Sequence, residues 1–206
     1  TKAAGELSSR VRAAVQRLNA AGSLLAYHDR SDGGLFATVC EMAFAGRCGV
    51  ALNVDLLTID PHAADWGDYK IRPEQVSVQR DELTLRALFS EELGAVIQVP
   101  AADRDSVMAV LREFDLARCS HVIGKPASRD TIEIYRDAKC VYSESRAKLQ
   151  SIWNETSYRI ASLRDNPECA AEEHARITRE SDPGLHLALG FDPAEDVAAP
   201  FVATGA

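Results

Sequence analysis

The sequence predicts an α+β fold, and three features carry that reading. Apolar residues recur at helical spacing in separate segments. Short apolar or β-branched runs of strand length lie between them. Three such runs follow one another near residues 119–145.

The elements follow in order. Val11, Ala14, Val15 and Leu18 mark an amphipathic first helix that ends near Ala21-Gly22. "LLAYH" reads as a buried strand. Gly34 to Gly46 reads as a helix so apolar that it must be covered on more than one side. "GVALNVDLL" is the next strand. The polar stretch Asp60 to Gln79 reads as a surface excursion, followed by a short helix from Glu82 to Phe89 and the strand "GAVIQVP". Asp103 starts a helix with Val107, Val110, Leu111 and Phe114 on one face. "CSHVIGK", "DTIEIYRD" and "CVYSES" are three strands, the last two joined by a turn at Arg136-Asp137-Ala138.

From Ser145 the character changes. Leu149, Ile152, Trp153, Thr156, Ile160 and Leu163 trace a helical stripe, expected to be packing surface, and Asn166-Pro167 stops or kinks it. A polar segment and a loop-like tail complete the chain. The expected organisation is a compact body over 1–144 and a helical, extended linker over 145–206.

Composition excludes several functions. A net charge of −8 over 206 residues leaves no basic excess for nucleic acid or an anionic membrane. The longest apolar runs fall short of a membrane span, and the start lacks the apolar core of a signal peptide. Five scattered cysteines without a CxxC pair argue against structural zinc or a disulfide framework and fit reduced thiols in the cytoplasm.

The chemistry concentrates in "HDRSDGG", residues 28–34. Mg²⁺ takes hard oxygen ligands, commonly one or two carboxylates with phosphate and water. Phosphate favours backbone N–H groups at a helix N-terminus. Asp29 and Asp32 offer carboxylates, Ser31 a hydroxyl, and Gly33-Gly34 a helix start the ligand can approach closely. The same residue types also make an ordinary strand-to-helix turn with Ser31 or Asp32 as its cap, so both readings stand on spacing alone. His28 is a general base or a strand-end histidine bonded to backbone. Arg30 meets phosphate or solvent. Glu91 and Glu92 bind metal or, the favoured role, form a cap or salt bridge. The other histidines show no metal-ligand spacing, and no catalytic nucleophile arrangement can be proposed.

"LLAYHDRSDGGLFATVCEMAFAG", "LFSEELGAVIQV", "SESRAKLQSIWNETSYRIASLRDNPECAAEEH" and "DPGLHLALGFDPAEDVAAPFVATGA" together resemble the large, single-chain phosphoribosylformylglycinamidine synthases of purine biosynthesis. The resemblance places the chain in the second synthetase half: its aminoimidazole-ribonucleotide-synthetase-like C-terminal domain, a mixed sheet packed with helices, and the linker toward a glutamine amidotransferase domain. It implies a parent ligase that converts formylglycinamide ribonucleotide to the amidine with ATP, glutamine and water. It further implies Mg²⁺ and ATP or ADP as cofactors. Its partners would be the ATP-binding and amidotransferase domains of the same parent chain. The family motif makes Asp29 a Mg²⁺ ligand and Ser31 a nucleotide contact; Asp32, Gly33 and Gly34 match the same loop. No catalytic residue is assigned, and the chain alone is expected to be inactive. A structural module holding a non-catalytic nucleotide and scaffolding the amidotransferase is the alternative. A thiamine monophosphate kinase or selenophosphate synthetase relative is disfavoured by the blocks from Ser143 to Ala206.

Overall fold

The computed structural model describes residues 2–30, 32–59, 73–179, 182 and 187–199. The fold is α+β, with two sheets and six α-helices among these residues. Helix α1 (Lys2–Ala20) leads to β1 (Ala26–Asp29), α2 (Gly34–Gly46) and β2 (Gly49–Asn53). Helix α3 (Pro73–Phe89), β3 (Ala95–Gln98) and α4 (Arg104–Glu113) follow. Strands β4 (Gly124–Ala127), β5 (Thr131–Arg136) and β6 (Lys139–Ser145) precede α5 (Arg146–Arg164) and α6 (Pro167–Arg176).

Strands β1 and β3 form a separate antiparallel pair with His28 opposite Val96 and Asp29 opposite Ala95. The larger sheet has the order β4-β2-β5-β6. Only β2 and β5 run parallel, Val50 facing Ile132 and Leu52 facing Ile134. The β5–β6 turn falls at Asp137 and Ala138, both with positive φ, where the sequence places it.

Helix α2 is the hub. Its apolar sequence is explained by two core clusters that meet on it: Leu35 and Val39 pack with Leu52, Val54, Leu88 and Ile134, while Cys40, Ala43 and Phe44 pack with Ile132. Ile132 and Ile134 alternate along β5 with less buried neighbours, so one sheet face supplies both clusters. Burial pushes the Cys40 thiol up to about 12, with the Glu41 charge adding to the shift, so this cysteine is a core residue and not a nucleophile.

Four sequence expectations need correction. Helix α3 starts at Pro73 rather than Glu82, because Pro73 takes the first helical turn, where a missing N–H costs nothing. The expected excursion is therefore helix from 73 onward, and its part over 60–72 lies outside the described residues. The β2 segment ends at Asn53, and Asp55–Leu57 forms a single 3₁₀ turn instead of more strand. Strand β4 lies at 124–127 rather than 119–125. It contains Pro126, which is tolerated because β4 is an edge strand. The α5 stripe is packed at one end only. Leu149 and Trp153 reach the core, but Ile152, Ile160 and Leu163 are exposed, Leu163 to 91%.

Asn166 caps α6 by accepting from the Glu168 and Cys169 backbone N–H groups, with Pro167 at the first helical position. The chain therefore turns there, and α6 folds back on α5. His174 bonds Asn154 and Ser151 and stacks on Tyr158 at 4.5 Å. Helix α5 is anchored at its start by Arg146, 4% exposed, whose guanidinium forks onto Asp130 at 2.6 and 2.9 Å. No helix among the described residues is long and apolar enough to cross a membrane.

Candidate nucleotide and magnesium loop

The candidate loop joins the end of β1 to the start of α2. The β1 alternation places Ala26 and His28 inward and Tyr27 and Asp29 outward. The Asp29 carboxylate is 69% exposed, and the His28 ring nitrogen Nδ1 lies 3.8 Å from it. Its backbone is held: the Asp29 carbonyl accepts from His28 Nδ1 at 2.8 Å and from the buried Thr38 hydroxyl at 3.4 Å. An exposed carboxylate on a fixed strand end is the kind of oxygen ligand Mg²⁺ uses one or two of.

Ser31 lies outside the described residues. Asp32 and Gly33 are exposed, and Gly34 is buried. The two glycines have φ of +79° and +69°, the left-handed region that glycine enters freely. The Gly33 N–H donates to Glu91 Oε1 at 3.1 Å. A carboxylate thus already sits at the positive end of α2, the electrostatic position that suits a phosphate.

A second loop, residues 90–94, clasps the first. The Arg30 backbone N–H donates to the Gly94 carbonyl at 2.8 Å, and its guanidinium donates to the Ala87 carbonyl at 3.1 Å and faces Glu92 at 3.7 Å. Arg30 is thus mostly buried and structural, not solvated. Glu91 acts as a cap and Glu92 as an ion-pair partner, the roles favoured from sequence.

Sequence reasoning missed Glu41. His28 Nε2 meets Glu41 Oε2 at 2.7 Å, and the Trp153 indole N–H donates to Glu41 Oε1 at 2.9 Å. One carboxylate therefore ties β1, α2 and α5 together. The signal was present: Glu41 is the single charged residue in "GLFATVCEMAFAG".

Among the described residues no group of three or more His, Cys, Asp or Glu side chains is arranged to hold a metal by itself. The exposed Asp29 carboxylate is compatible with Mg²⁺ only if phosphate and water supply the remaining ligands.

The C-terminal-domain model of the AIR synthase related proteins matches residues 3–137. Among solved structures, the chain is similar to Thermotoga maritima PurL complexed with FGAR, at 14% identity and TM-score 0.49 over 68% of this chain and 20% of that one. The same protein complexed with ATP matches at 13% identity and TM-score 0.45, over 66% and 20%. E. coli HypE, a hydrogenase maturation protein, matches at 23% identity and TM-score 0.45, over 64% and 38%. The chain thus spans about a fifth of the PurL structures' length. By its match over residues 3–137, the chain belongs to the family of AIR synthase related proteins, as their C-terminal domain.

Proposed function

We propose that the chain is the C-terminal domain of the second synthetase half of a large, single-chain phosphoribosylformylglycinamidine synthase. From about residue 145 it continues as the linker toward a glutamine amidotransferase domain. The parent, a cytoplasmic enzyme, converts formylglycinamide ribonucleotide, ATP, glutamine and water to the amidine, ADP, phosphate and glutamate. Support comes from the family match over residues 3–137 and from the sequence blocks. The observation that carries a ligand role is the exposed Asp29 carboxylate on a pinned strand end beside the N-terminus of α2.

In this reading Asp29 holds Mg²⁺, and Ser31, Asp32 and Gly33 border the nucleotide, whereas Gly34, expected from sequence to let the ligand approach, is buried against the α3 backbone at Leu88 and Phe89. The ion supplies neutralisation of phosphate charge. The chain's own residues position and orient. Thr38 and His28 hold the Asp29 backbone, and Arg30 locks the loop to residues 87–94. The Gly33 N–H holds the Glu91 carboxylate, the place a ligand anion would take by displacing it. One carboxylate and one helix end are half of a site, so the chain alone is inactive and depends on the parent's ATP-binding domain.

A second reading is favoured by the way the loop is built into the core: the nucleotide is structural, and α5 and the linker scaffold the amidotransferase. Asp29→Asn in the full-length parent separates the two. Lost turnover with unchanged melting supports the catalytic role, and lowered melting with lost nucleotide supports the structural one. Full activity of that variant, or ATP-dependent amidine formation by the isolated chain, would overturn the proposal.

A further inference from the structure

Helices α5 and α6 bring together three polar residues that chain order does not associate. The His174 Nδ1–H donates to Asn154 Oδ1 at 3.0 Å, because an amide oxygen only accepts. The neutral ring then presents its Nε2 lone pair to the Ser151 hydroxyl, 3.2 Å away. Ser151 and Asn154 lie one turn apart on one face of α5. Tyr158, a turn further on, stacks on the His174 ring at 4.5 Å and 16°, which fixes the plane of the imidazole. A hydroxyl, a base that can take its proton and an acceptor that orients the base are the parts of an activated nucleophile.

The hydroxyl is not sealed between the two helices. Ser151 lines an open cavity of about 420 Å³ at the start of α5, with Arg146, Lys148, Ile177 and Thr178 around it. Each cation there already has a carboxylate, Arg146 with Asp130 and Lys148 with Glu144. The cavity therefore has no excess charge to attract an ionic ligand, and it suits a small uncharged one. Lys148 lies one turn before Ser151, on the same face of α5. Its ammonium has three N–H groups and gives one to Glu144, so donors remain for an oxygen that gains negative charge in the cavity.

We infer that Ser151, His174 and Asn154 form an acyl-transfer site that hydrolyses small uncharged esters. Ser151 Oγ bonds to the acyl carbon while its proton passes to His174 Nε2. The ester C–O bond breaks, and the departing alcohol oxygen takes that proton. Water then attacks the acyl-serine, gives its proton to Nε2, and the proton returns to Ser151 as the carboxylic acid leaves. Asn154 keeps the proton on Nδ1, so that Nε2 is the basic nitrogen. Every residue of the site belongs to α5, α6 or their flanks, and the inference depends neither on the ligand loop nor on the parent enzyme.

The probe is 4-nitrophenyl acetate with the 206-residue chain, read by released nitrophenolate and by mass spectrometry of the acetylated peptide. Release above the buffer rate, with acetyl on Ser151, is expected. Ser151→Ala abolishes it, and His174→Gln lowers it about a hundredfold, within the range a general base supplies. Asn154 is a positioning residue: Asn154→Ala lowers kcat with KM unchanged, and Asn154→Asp, which keeps the acceptor, restores it. The same bonds hold α6 on α5, so the unaltered chain gives a second readout that no misfolded variant can obscure. Diisopropyl fluorophosphate labels its Ser151 ahead of the exposed Ser157. Equal labelling of the two serines, or none, overturns the inference, as does nitrophenolate release unchanged by Ser151→Ala.

Discussion

Gly34 lies against the backbone of Leu88 so closely that a Cβ on it would sit 2.8 Å from the Leu88 carbonyl oxygen and 2.8 Å from the Phe89 carbonyl carbon. The N-terminus of α2 and the C-terminus of α3 meet there without a side chain between them. The close approach that this glycine permits is therefore made inside the fold, to its own polypeptide.

Gly34→Ala combines a left-handed φ of +69° with overlap onto immovable backbone. The expected loss is about 2–4 kcal/mol, from the αL cost of a Cβ plus displacement of α2 from α3. Urea unfolding measures it. A loss below about 0.5 kcal/mol would show that the two helix ends separate freely.

The Arg146–Asp130 pair is asymmetric. Arg146 is buried, whereas the Asp130 side chain is 43% exposed. Removing the carboxylate leaves a buried cation, while removing the arginine leaves an anion that water reaches. Asp130→Ala is expected to cost about 3 kcal/mol and Arg146→Met about 1–2 kcal/mol. Denaturant titration of the two variants checks the order, and the reverse order would refute the argument.

Glu41→Ala removes the acceptor shared by His28 and Trp153. A loss of about 1–2 kcal/mol is expected, with amide exchange in α5 rising before that in β5. Equal acceleration in both elements would mean that Glu41 does not hold α5 to the body.

Acid stability follows from lowered carboxyl groups. The Asp137 backbone N–H and then the Asn53 side chain hold Asp55 below its usual range, the Tyr135 hydroxyl does the same for Glu133, and Lys148 for Glu144. A carboxyl lowered in the folded state makes the unfolded chain bind more protons between the two pKa values. Its contribution is therefore complete above the ordinary carboxylate range and lost as pH falls through the lowered folded value. Melting temperature should be flat from about pH 7 to about 5 and fall below about pH 4. Asp55→Asn should reduce that fall; an unchanged profile would remove Asp55 from the account.

The fold was legible where local and tertiary preferences agree. Gly34 to Gly46 reads as a buried helix because nearly every side chain is apolar, and the structure surrounds it. The β5–β6 hairpin reads from its turn. Pro73 hid the start of α3 because a polar, proline-bearing stretch resembles loop unless the proline is read as a helix opener. Pro126 hid β4 because its position at a sheet edge is a tertiary fact. The loop's residue types pointed to a ligand or a turn, and spacing could not choose. Gly33 bonded to Glu91 and Arg30 bonded to Ala87 join residues nearly sixty positions apart, a relation that only the folded chain displays.

Helix α2 carries the loop on its first residues and the Cys40 thiol near its middle. That thiol can serve as a clock. An aromatic disulfide reagent should modify the exposed Cys119, Cys140 and Cys169 at once and Cys40 only when α2 lifts from the sheet. The slow phase of labelling would time the opening of the element that holds the loop in place, and a nucleotide that tightens that loop would slow it.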